Sequence, residues 1–130
     1  MPEQQPVPVR VLIVEDEFLI RLTLAEALGD EGFDVLEAET GDAALPMLVP
    51  GCGIQLLLTD IQLPGSLNGR ALATRVRQLL PNLPVIYMTG RLEPDSAGTA
   101  SPLDAFIAKP YTLTDICEAA RRLTGASAGV

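Results

Sequence analysis

Histidine and tryptophan are absent from this 130-residue sequence, and cysteine and aromatic residues are scarce. Without an imidazole, the chain has no histidine base for a serine or cysteine nucleophile and cannot carry a phosphohistidine. Its two cysteines, Cys52 and Cys117, fit neither a secreted disulfide framework nor a four-ligand zinc site. We therefore expect free thiols in a reducing cytosol and chemistry carried by carboxylates, hydroxyls and lysines.

Basic residues are also few. Lysine and arginine total 9 against 17 acidic residues, which gives a net charge of -8. This balance disfavours binding to nucleic acid or to an anionic membrane surface. No apolar run approaches the roughly 20 residues that would span a bilayer, and no signal peptide pattern opens the chain. We expect a cytoplasmic protein with no nucleic-acid or membrane partner.

Length and composition predict one domain. With 48% hydrophobic residues, a chain of this size can bury a single core without disulfides or structural metal. Residues 1–8 are polar and proline-rich and residues 125–130 are small and featureless, so both ends are expected to be flexible tails around a domain over residues 9–124.

Short apolar runs rich in β-branched residues alternate with segments of helical period. The predicted strands cover residues 9–14, 33–38, 54–59, 84–88 and 105–108. The predicted helices cover residues 18 to about 29, a short stretch after Thr40 that Pro46 kinks or ends, residues 70–80, and a last helix after Thr112. This alternation predicts an α/β sandwich around a parallel sheet.

The first and last helices have the clearest signals. In the first, apolar residues recur at three-residue steps, with Asp16 or Glu17 placed to cap the start and Gly29 or Gly32 to end it. Thr112 and Asp115 predict the capped start of the last helix. The periodic residues are Leu19, Leu22, Ala25 and Leu28 in the first helix and Leu113, Ile116, Cys117, Ala120 and Leu123 in the last.

Polar residues follow four of the strands. In a parallel sheet, ligands bind outside the carboxyl ends of the strands, which here carry Glu15 with Asp16, then Asp60, Thr89 and Lys109. A carboxylate can accept a phosphoryl group if a cation offsets the repulsion, and Mg²⁺ prefers such hard oxygen ligands. Lysine and threonine can then hold the phosphoryl oxygens. The pattern predicts magnesium-dependent phosphoryl transfer to a carboxylate.

Four motifs in this order, V-L-I-V-E-D-E, L-L-L-T-D-I-Q-L-P-G, I-Y-M-T-G and F-I-A-K-P, resemble the successive signatures of response regulator receiver domains. The resemblance covers roughly residues 9 to 124 and implies a flavodoxin-like fold of the chemotaxis-regulator type, with strand order 2-1-3-4-5. It also implies a receiver of a two-component or phosphorelay pathway, which receives its phosphoryl group from a sensor histidine kinase or a histidine phosphotransfer protein. The 130 residues contain no recognisable output domain, so we expect a stand-alone receiver that acts on another protein.

The resemblance implies roles residue by residue. Asp60 would be the phosphoacceptor, and Asp60, Asp16, Glu15 and the backbone carbonyl of Gln62 would hold Mg²⁺. The other implied roles are phosphoryl binding and switching by Thr89, coupled movement of Phe106, phosphoryl binding by Lys109, and a cis peptide bond before Pro110.

Simpler interpretations stay open for each residue. The acidic run at residues 15–17 can merely favour a helix start, Asp60 can simply end a strand, and Phe106 can be an ordinary core aromatic. Thr89 with Gly90 can be a plain turn, and Lys109 can be solvated. For the whole chain, the alternatives are a receiver-like module that is never phosphorylated, a small magnesium-dependent phosphohydrolase, and a flavin carrier, which the 4% aromatic content supports poorly.

Two segments depart from the commonest receiver pattern. The loop from Asp60 to Gly69 is one residue longer, so its backbone near the metal is expected to differ. Residues 91–104, where receivers carry a fourth helix, contain two prolines and little apolar periodicity. We expect a short, displaced or disordered helix there, with a changed output surface.

Overall fold

The computed structural model describes residues 7–90 and 102–126, and its parallel strands form a five-stranded sheet of order β2-β1-β3-β4-β5. The strands are β1 Arg10–Val14, β2 Asp34–Ala38, β3 Ile54–Asp60, β4 Val85–Thr89 and β5 Asp104–Ala108. The helices are α1 Phe18–Asp30, α2 Gly41–Ala44, α3 Gly69–Arg77 and α4 Leu113–Thr124. The predicted flavodoxin-like order 2-1-3-4-5 is confirmed.

Both faces of the sheet are buried. Successive side chains of a strand point to opposite faces, so Val11 and Ile13 pack with α1 and α4, whereas Leu12 and Val14 pack with α2 and α3. Burial on two sides explains why the central strands are almost continuously apolar rather than alternating. The first polar residues after these runs therefore lie at the rim of the sheet, where the core ends.

The buried face of α1 differs from the apolar spacing that predicts the helix. Leu24 and Leu28 are buried, but Leu19 is 72% exposed. Arg21 takes an inward position instead, because it donates to Glu37 and its Nη1 lies 2.8 Å from a backbone carbonyl oxygen of the β1–α1 loop. A three-residue step drifts around a helix of 3.6 residues per turn, so this spacing marked the element correctly but its inner face only in part: Ala25 and Leu28 pack in the core, whereas Leu19 does not.

The other helices follow their terminal signals with one exception. Thr112 and Asp115 form the predicted capping box of α4, and Gly125 ends it with φ 72°. After α2, a 3-10 turn over residues 45–47 contains Pro46, so this helix ends as predicted. The prediction for α3 extended three residues past the end of the helix: the helix ends at Arg77, residues 78–79 form a turn, and Leu80 precedes Pro81, which disfavours helical backbone at Leu80.

Parts of three predictions fall outside the described residues. These are most of both expected tails, at residues 1–6 and 127–130, and residues 91–101 of the segment in which a short or irregular fourth helix is expected. The described remainder of that segment is a turn followed by the start of β5. Within residues 7–90 and 102–126, no helix has both the length and the apolar character that crossing a membrane requires.

Candidate functional site

The carboxyl ends of β1 and β3 bring three acids together. Glu15 and Asp16 directly follow β1, and Asp60 is the last residue of β3. One carboxylate oxygen from each lies within 4.8 Å of the other two. Because the strands are parallel neighbours in register, the residues after Val14 and Thr59 arrive at one edge of the sheet.

Asp60 lies at the centre of this site. It is 6% exposed, and its Oδ2 lies 2.8 Å from Nζ of Lys109, which follows β5. Its Oδ1 accepts a hydrogen bond of 3.2 Å from the backbone N–H of Gln62. Burial alone would lower the pKa of Lys109, but the hydrogen bond to Asp60 and the negative charges of Asp60 and Glu15 outweigh it, so this pKa is raised. Lys109 therefore carries its charge at neutral pH.

Glu15 has the least favourable environment of the three acids. It is 1% exposed, and among the described residues no group donates to its Oε1. Burial, with the neighbouring Asp16 and Asp60, raises the pKa of Glu15 from 4.5 to about 7, against the opposing effects of the Glu17 N–H and Lys109. A buried carboxylate with an unsatisfied oxygen costs free energy unless a cation or donor compensates it.

The start of α1 explains how Glu15 is held. Either Asp16 or Glu17 was expected to cap this helix with its side chain, and that expectation was wrong. Glu17 is the N-cap residue but its side chain makes no capping hydrogen bond. Instead, Oε2 of Glu15 accepts the N–H of Glu17 at 3.1 Å, and Arg21 donates to the Glu15 carbonyl at 2.8 Å. The first contact orients the Glu15 carboxylate, and the second holds the backbone that carries it.

These features fit a divalent cation with a preference for hard oxygen ligands. Three carboxylates converge, and one of their buried oxygens has no donor among the described residues. Mg²⁺ is typically bound by one or two carboxylates, with water and substrate phosphate oxygens as the remaining ligands. The donor set contains neither sulfur nor nitrogen ligands, which softer metals would favour.

A cavity of about 590 Å³ opens over Asp60. Its walls are Asp60, Ile61, Gln62, Arg70, Thr89, Gly90 and Lys109. The ion pair with Lys109 therefore leaves Asp60 accessible to a small anion. Thr89, the last residue of β4, is 6% exposed and contributes to the same wall.

Gly69 fixes the backbone beneath this cavity. Its N–H donates to the carbonyl of Ile61 at 2.8 Å, and a Cβ at this position would clash with the carbonyl oxygen of Asp60. The outer part of the same loop is tied to α2, because the backbone N–H of Ser66 donates to Asp42 at 3.0 Å. The first residue of α3 thus packs directly against the backbone that carries the central acid.

Comparison with known proteins decides the family. The sequence pattern of the response regulator receiver domain matches residues 11–121 of this chain. The chain belongs to the response regulator receiver family. Receiver domains work in two-component and phosphorelay signalling, and the family assignment made from the four motifs is confirmed.

Individual relatives agree. The chain is 37% identical over 115 residues to the aerobic respiration control protein ArcA of Escherichia coli, covering 87% of this chain and 47% of that protein. It is 30% identical over 115 residues to sporulation initiation phosphotransferase F of Bacillus subtilis, covering 87% of this chain and 91% of that protein. The crystal structure of a receiver protein from Sinorhizobium medicae has a TM-score of 0.82 and 29% identity, covering 92% of this chain and 96% of that one. The receiver thus spans about half the length of the respiration control protein.

Phe106 lies apart from the other predicted site residues of the receiver. It is half-buried in β5, and its ring stacks on Tyr87 of β4 with centroids 4.8 Å apart. Phe106 is not among the residues that line the cavity over Asp60, whereas Gln62, Thr89 and Lys109 are. The Lys109–Pro110 peptide bond is cis.

Sequence reasoning missed two cations of the receiver site. Arg21 supports the Glu15 backbone, and Arg70 lines the cavity beside Asp60. Arg21 interrupts an apolar helix face, so its position in the sequence gave little warning. Arg70 had a detectable signal, because a basic residue in the first turn of a helix is electrostatically unfavourable.

Proposed function

We propose that this receiver accepts a phosphoryl group on Asp60 in a magnesium-dependent reaction and thereby switches its interactions with other proteins. One observation supports it above all: the carboxylates of Glu15, Asp16 and Asp60 converge within 4.8 Å, and Asp60 both lies 2.8 Å from Nζ of Lys109 and lines an open cavity. Arrangements that serve stability alone pair their charges, whereas this one gathers three acids around one directly bonded lysine.

In the proposed reaction, Asp60 is the nucleophile. A bond forms between an Asp60 carboxylate oxygen and phosphorus as the bond from phosphorus to the donor's leaving atom breaks, and the leaving group departs with that electron pair. Lys109 exchanges part of its contact with Asp60 for a phosphoryl oxygen, and the Thr89 hydroxyl donates to another. Glu15, Asp16, Asp60 and the backbone carbonyl of Gln62 would hold Mg²⁺, which neutralises negative charge when bound.

We propose a shift of conformational populations as the output. Closure of Thr89 and Gly90 on the phosphoryl group favours one conformer, and Phe106 moves with it. The partners in this scheme are a sensor histidine kinase or a histidine phosphotransfer protein, and a separate protein target in the cytoplasm. The similarity to sporulation initiation phosphotransferase F supports a phosphotransfer partner, because the matched region makes up 91% of that relative. Slow loss of the phosphoryl group to water would complete the cycle, without turnover of free phosphoesters.

Mass spectrometry of the intact protein tests this proposal. We expect incubation with acetyl phosphate and Mg²⁺ to add the mass of one phosphoryl group, and chelation of Mg²⁺ to prevent it. Asp60→Asn should abolish the addition, whereas Asp42→Asn, at an exposed acid away from the cavity, should keep it. An unmodified wild-type protein would favour a receiver-like module that is never phosphorylated, and turnover of free phosphoesters would favour a phosphohydrolase.

A further inference from the structure

Arg70 occupies a position where a cation is locally unfavourable. It is the second residue of α3, after Asn68, whose side chain accepts the N–H of Ala71 at 2.8 Å and caps the helix. The first turn of a helix has a positive partial charge, which favours acidic side chains there. Residues that break a local rule are expected at functional or strained sites.

The surroundings of Arg70 fix its side chain at the wall of the cavity. Its guanidinium carbon lies 5.3 Å from the ring centroid of Phe106 and 5.8 Å from that of Tyr87. These rings stack with an interplanar angle of 15°, so they form one aromatic platform, and cation–π attraction holds the guanidinium against it. Arg70 also lines the cavity that contains Asp60 and Lys109.

The charge of a phosphorylated site makes a second cation useful. A phosphoryl group adds about 1.5 to 2 negative charges to a site that already contains three carboxylates. Lys109 approaches Asp60 from β5, whereas Arg70 approaches from α3. A guanidinium has a planar fork of donors that matches phosphoryl oxygens, and stacking on aromatic rings already limits its rotational freedom.

We propose that Arg70 binds the phosphoryl group on Asp60 from the α3 side and, through its contact with Tyr87 and Phe106, transmits the phosphorylation state to this aromatic pair. This inference rests on the proposed function of Asp60. It assigns the route by which Phe106, which does not line the cavity, responds to the site. Arg70 is the linking residue, because its guanidinium lies over the two rings and the residue lines the cavity that contains the phosphoacceptor.

Three variants separate this role from simple packing. Arg70→Met removes the charge, Arg70→Lys keeps the charge without the planar fork, and Arg75→Met removes a matched exposed charge from the same helix. We expect Arg70→Met to reduce the rate of labelling by acetyl phosphate, and the affinity for beryllofluoride with Mg²⁺, by about tenfold. Arg70→Lys should recover part of both, and Arg75→Met should change neither. Affinity for Mg²⁺ alone should stay within about twofold in all three variants.

Tyrosine fluorescence gives a readout that a purely structural role would not change. The chain has two tyrosines and no tryptophan, so in Tyr111→Phe only Tyr87 emits. We expect beryllofluoride with Mg²⁺ to change Tyr87 emission in this background, and the change to disappear when Arg70→Met is added. Urea unfolding checks that each variant is folded, and Arg70→Gln replaces Arg70→Met if the latter is not.

The outcomes distinguish this inference from the proposed function. If wild-type protein is not labelled on Asp60, both fail. If wild-type protein is labelled and Arg70→Met and Arg70→Gln match it in labelling rate and beryllofluoride affinity, only the role of Arg70 fails. Equal losses of Mg²⁺ and beryllofluoride affinity would also overturn that role, because they would indicate general disruption of the site.

Discussion

Charged side chains are arranged differently at the two edges of the sheet, where the strands begin and where they end. At the amino-terminal edge, ion pairs link the start of a strand to a neighbouring strand or helix. Arg10 of β1 lies 2.8 Å from Asp34 of β2, and Arg77 of α3 lies 2.6 Å from Asp104 of β5. Arg77 also donates to the carbonyl of Leu83, just before β4. Each of these acids has a cation of its own.

At the carboxyl-terminal edge, three acids converge around one directly bonded lysine. Glu15 keeps an oxygen without a donor among the described residues, and its pKa rises to about 7. The comparison teaches that one edge is arranged for stability and the other for a ligand, because an imbalance of this kind destabilises the fold until a cation binds. Removing a charged partner of an ion pair at the amino-terminal edge should therefore destabilise the fold, whereas removing the charge of Glu15 at the carboxyl-terminal edge should stabilise it.

The largest effect is expected for Gly69→Ala at the carboxyl-terminal edge. The added Cβ would clash with the backbone of Asp60 and would lie 3.0 Å from Cα of Ile61, so the backbone must move. We expect a loss of about 3 kcal/mol in the free energy of unfolding and weaker Mg²⁺ binding, measured by urea denaturation and Mg²⁺ titration. Gly29→Ala, in α1 with no atom within 4 Å of the new Cβ, should instead stabilise slightly. Equal stability of both variants would contradict the packing at Gly69.

Breaking the better buried pair at the amino-terminal edge should cost somewhat less. The side chains of Arg77 and Asp104 are 23% and 11% exposed. Arg77→Met removes the donor to the Asp104 carboxylate and to the Leu83 carbonyl. We expect a loss of about 2 kcal/mol in urea denaturation, with Mg²⁺ affinity unchanged because the site is at the other edge. Arg75→Met is the matched control, with little expected change. A large loss of Mg²⁺ affinity in Arg77→Met would break the distinction between the edges.

Removing the charge of Glu15 should raise the free energy of unfolding instead of lowering it. Folding raises the pKa of this acid from 4.5 to about 7, so the folded chain binds the proton more tightly than the unfolded chain. The resulting stability is present below the ordinary pKa and is lost as the pH rises from about 4.5 to about 7.

Above pH 7 and without Mg²⁺, we therefore expect the free energy of unfolding of Glu15→Gln, measured by urea denaturation, to exceed that of wild-type protein by about 1 to 2 kcal/mol. This difference should shrink at acidic pH. Added Mg²⁺ should stabilise wild-type protein and close the gap. Glu118→Gln, at an exposed acid of α4, should show neither effect. A destabilised Glu15→Gln would mean that this carboxylate contributes to the fold rather than burdening it.

The smallest effect is expected at the exposed pair of the amino-terminal edge. The side chains of Arg10 and Asp34 are 42% and 45% exposed, so water and salt screen their attraction. Arg10→Met should change the free energy of unfolding by less than about 1 kcal/mol in urea denaturation, and less again in high salt. A loss as large as that of Arg77→Met would show that burial does not decide the strength of these pairs.

The residues of the carboxyl-terminal edge were largely predictable because chain order and parallel topology determine them. Apolar runs that stop at Asp60 and Thr89 place these residues at strand ends, and parallel pairing then brings such ends together. The amino-terminal pairs were not predicted, since Arg77 reaches Asp104 across elements far apart in sequence. Spacing along the chain contains no information about such contacts.

Helix orientation was the other limit. The apolar residues of α1 predicted a helix, but Leu19 faces solvent and Arg21 faces inward because Glu37 and the Glu15 carbonyl supply its partners. Those partners belong to other segments, so only the folded chain reveals them. Arg70 is comparable: its charge at a helix start is visible in the sequence, whereas its aromatic platform is not.

Amide NMR with Mg²⁺ and beryllofluoride tests most directly whether the acids and Lys109 form one phosphoryl-accepting site. We expect Mg²⁺ alone to shift the amides of residues 15–17 and 60–62. Addition of beryllofluoride should extend the changes to Thr89, Gly90 and Lys109, and Asp60→Asn should remove this second set. Spectra that stay unchanged, or that change only at the amino-terminal edge of the sheet, would contradict the account.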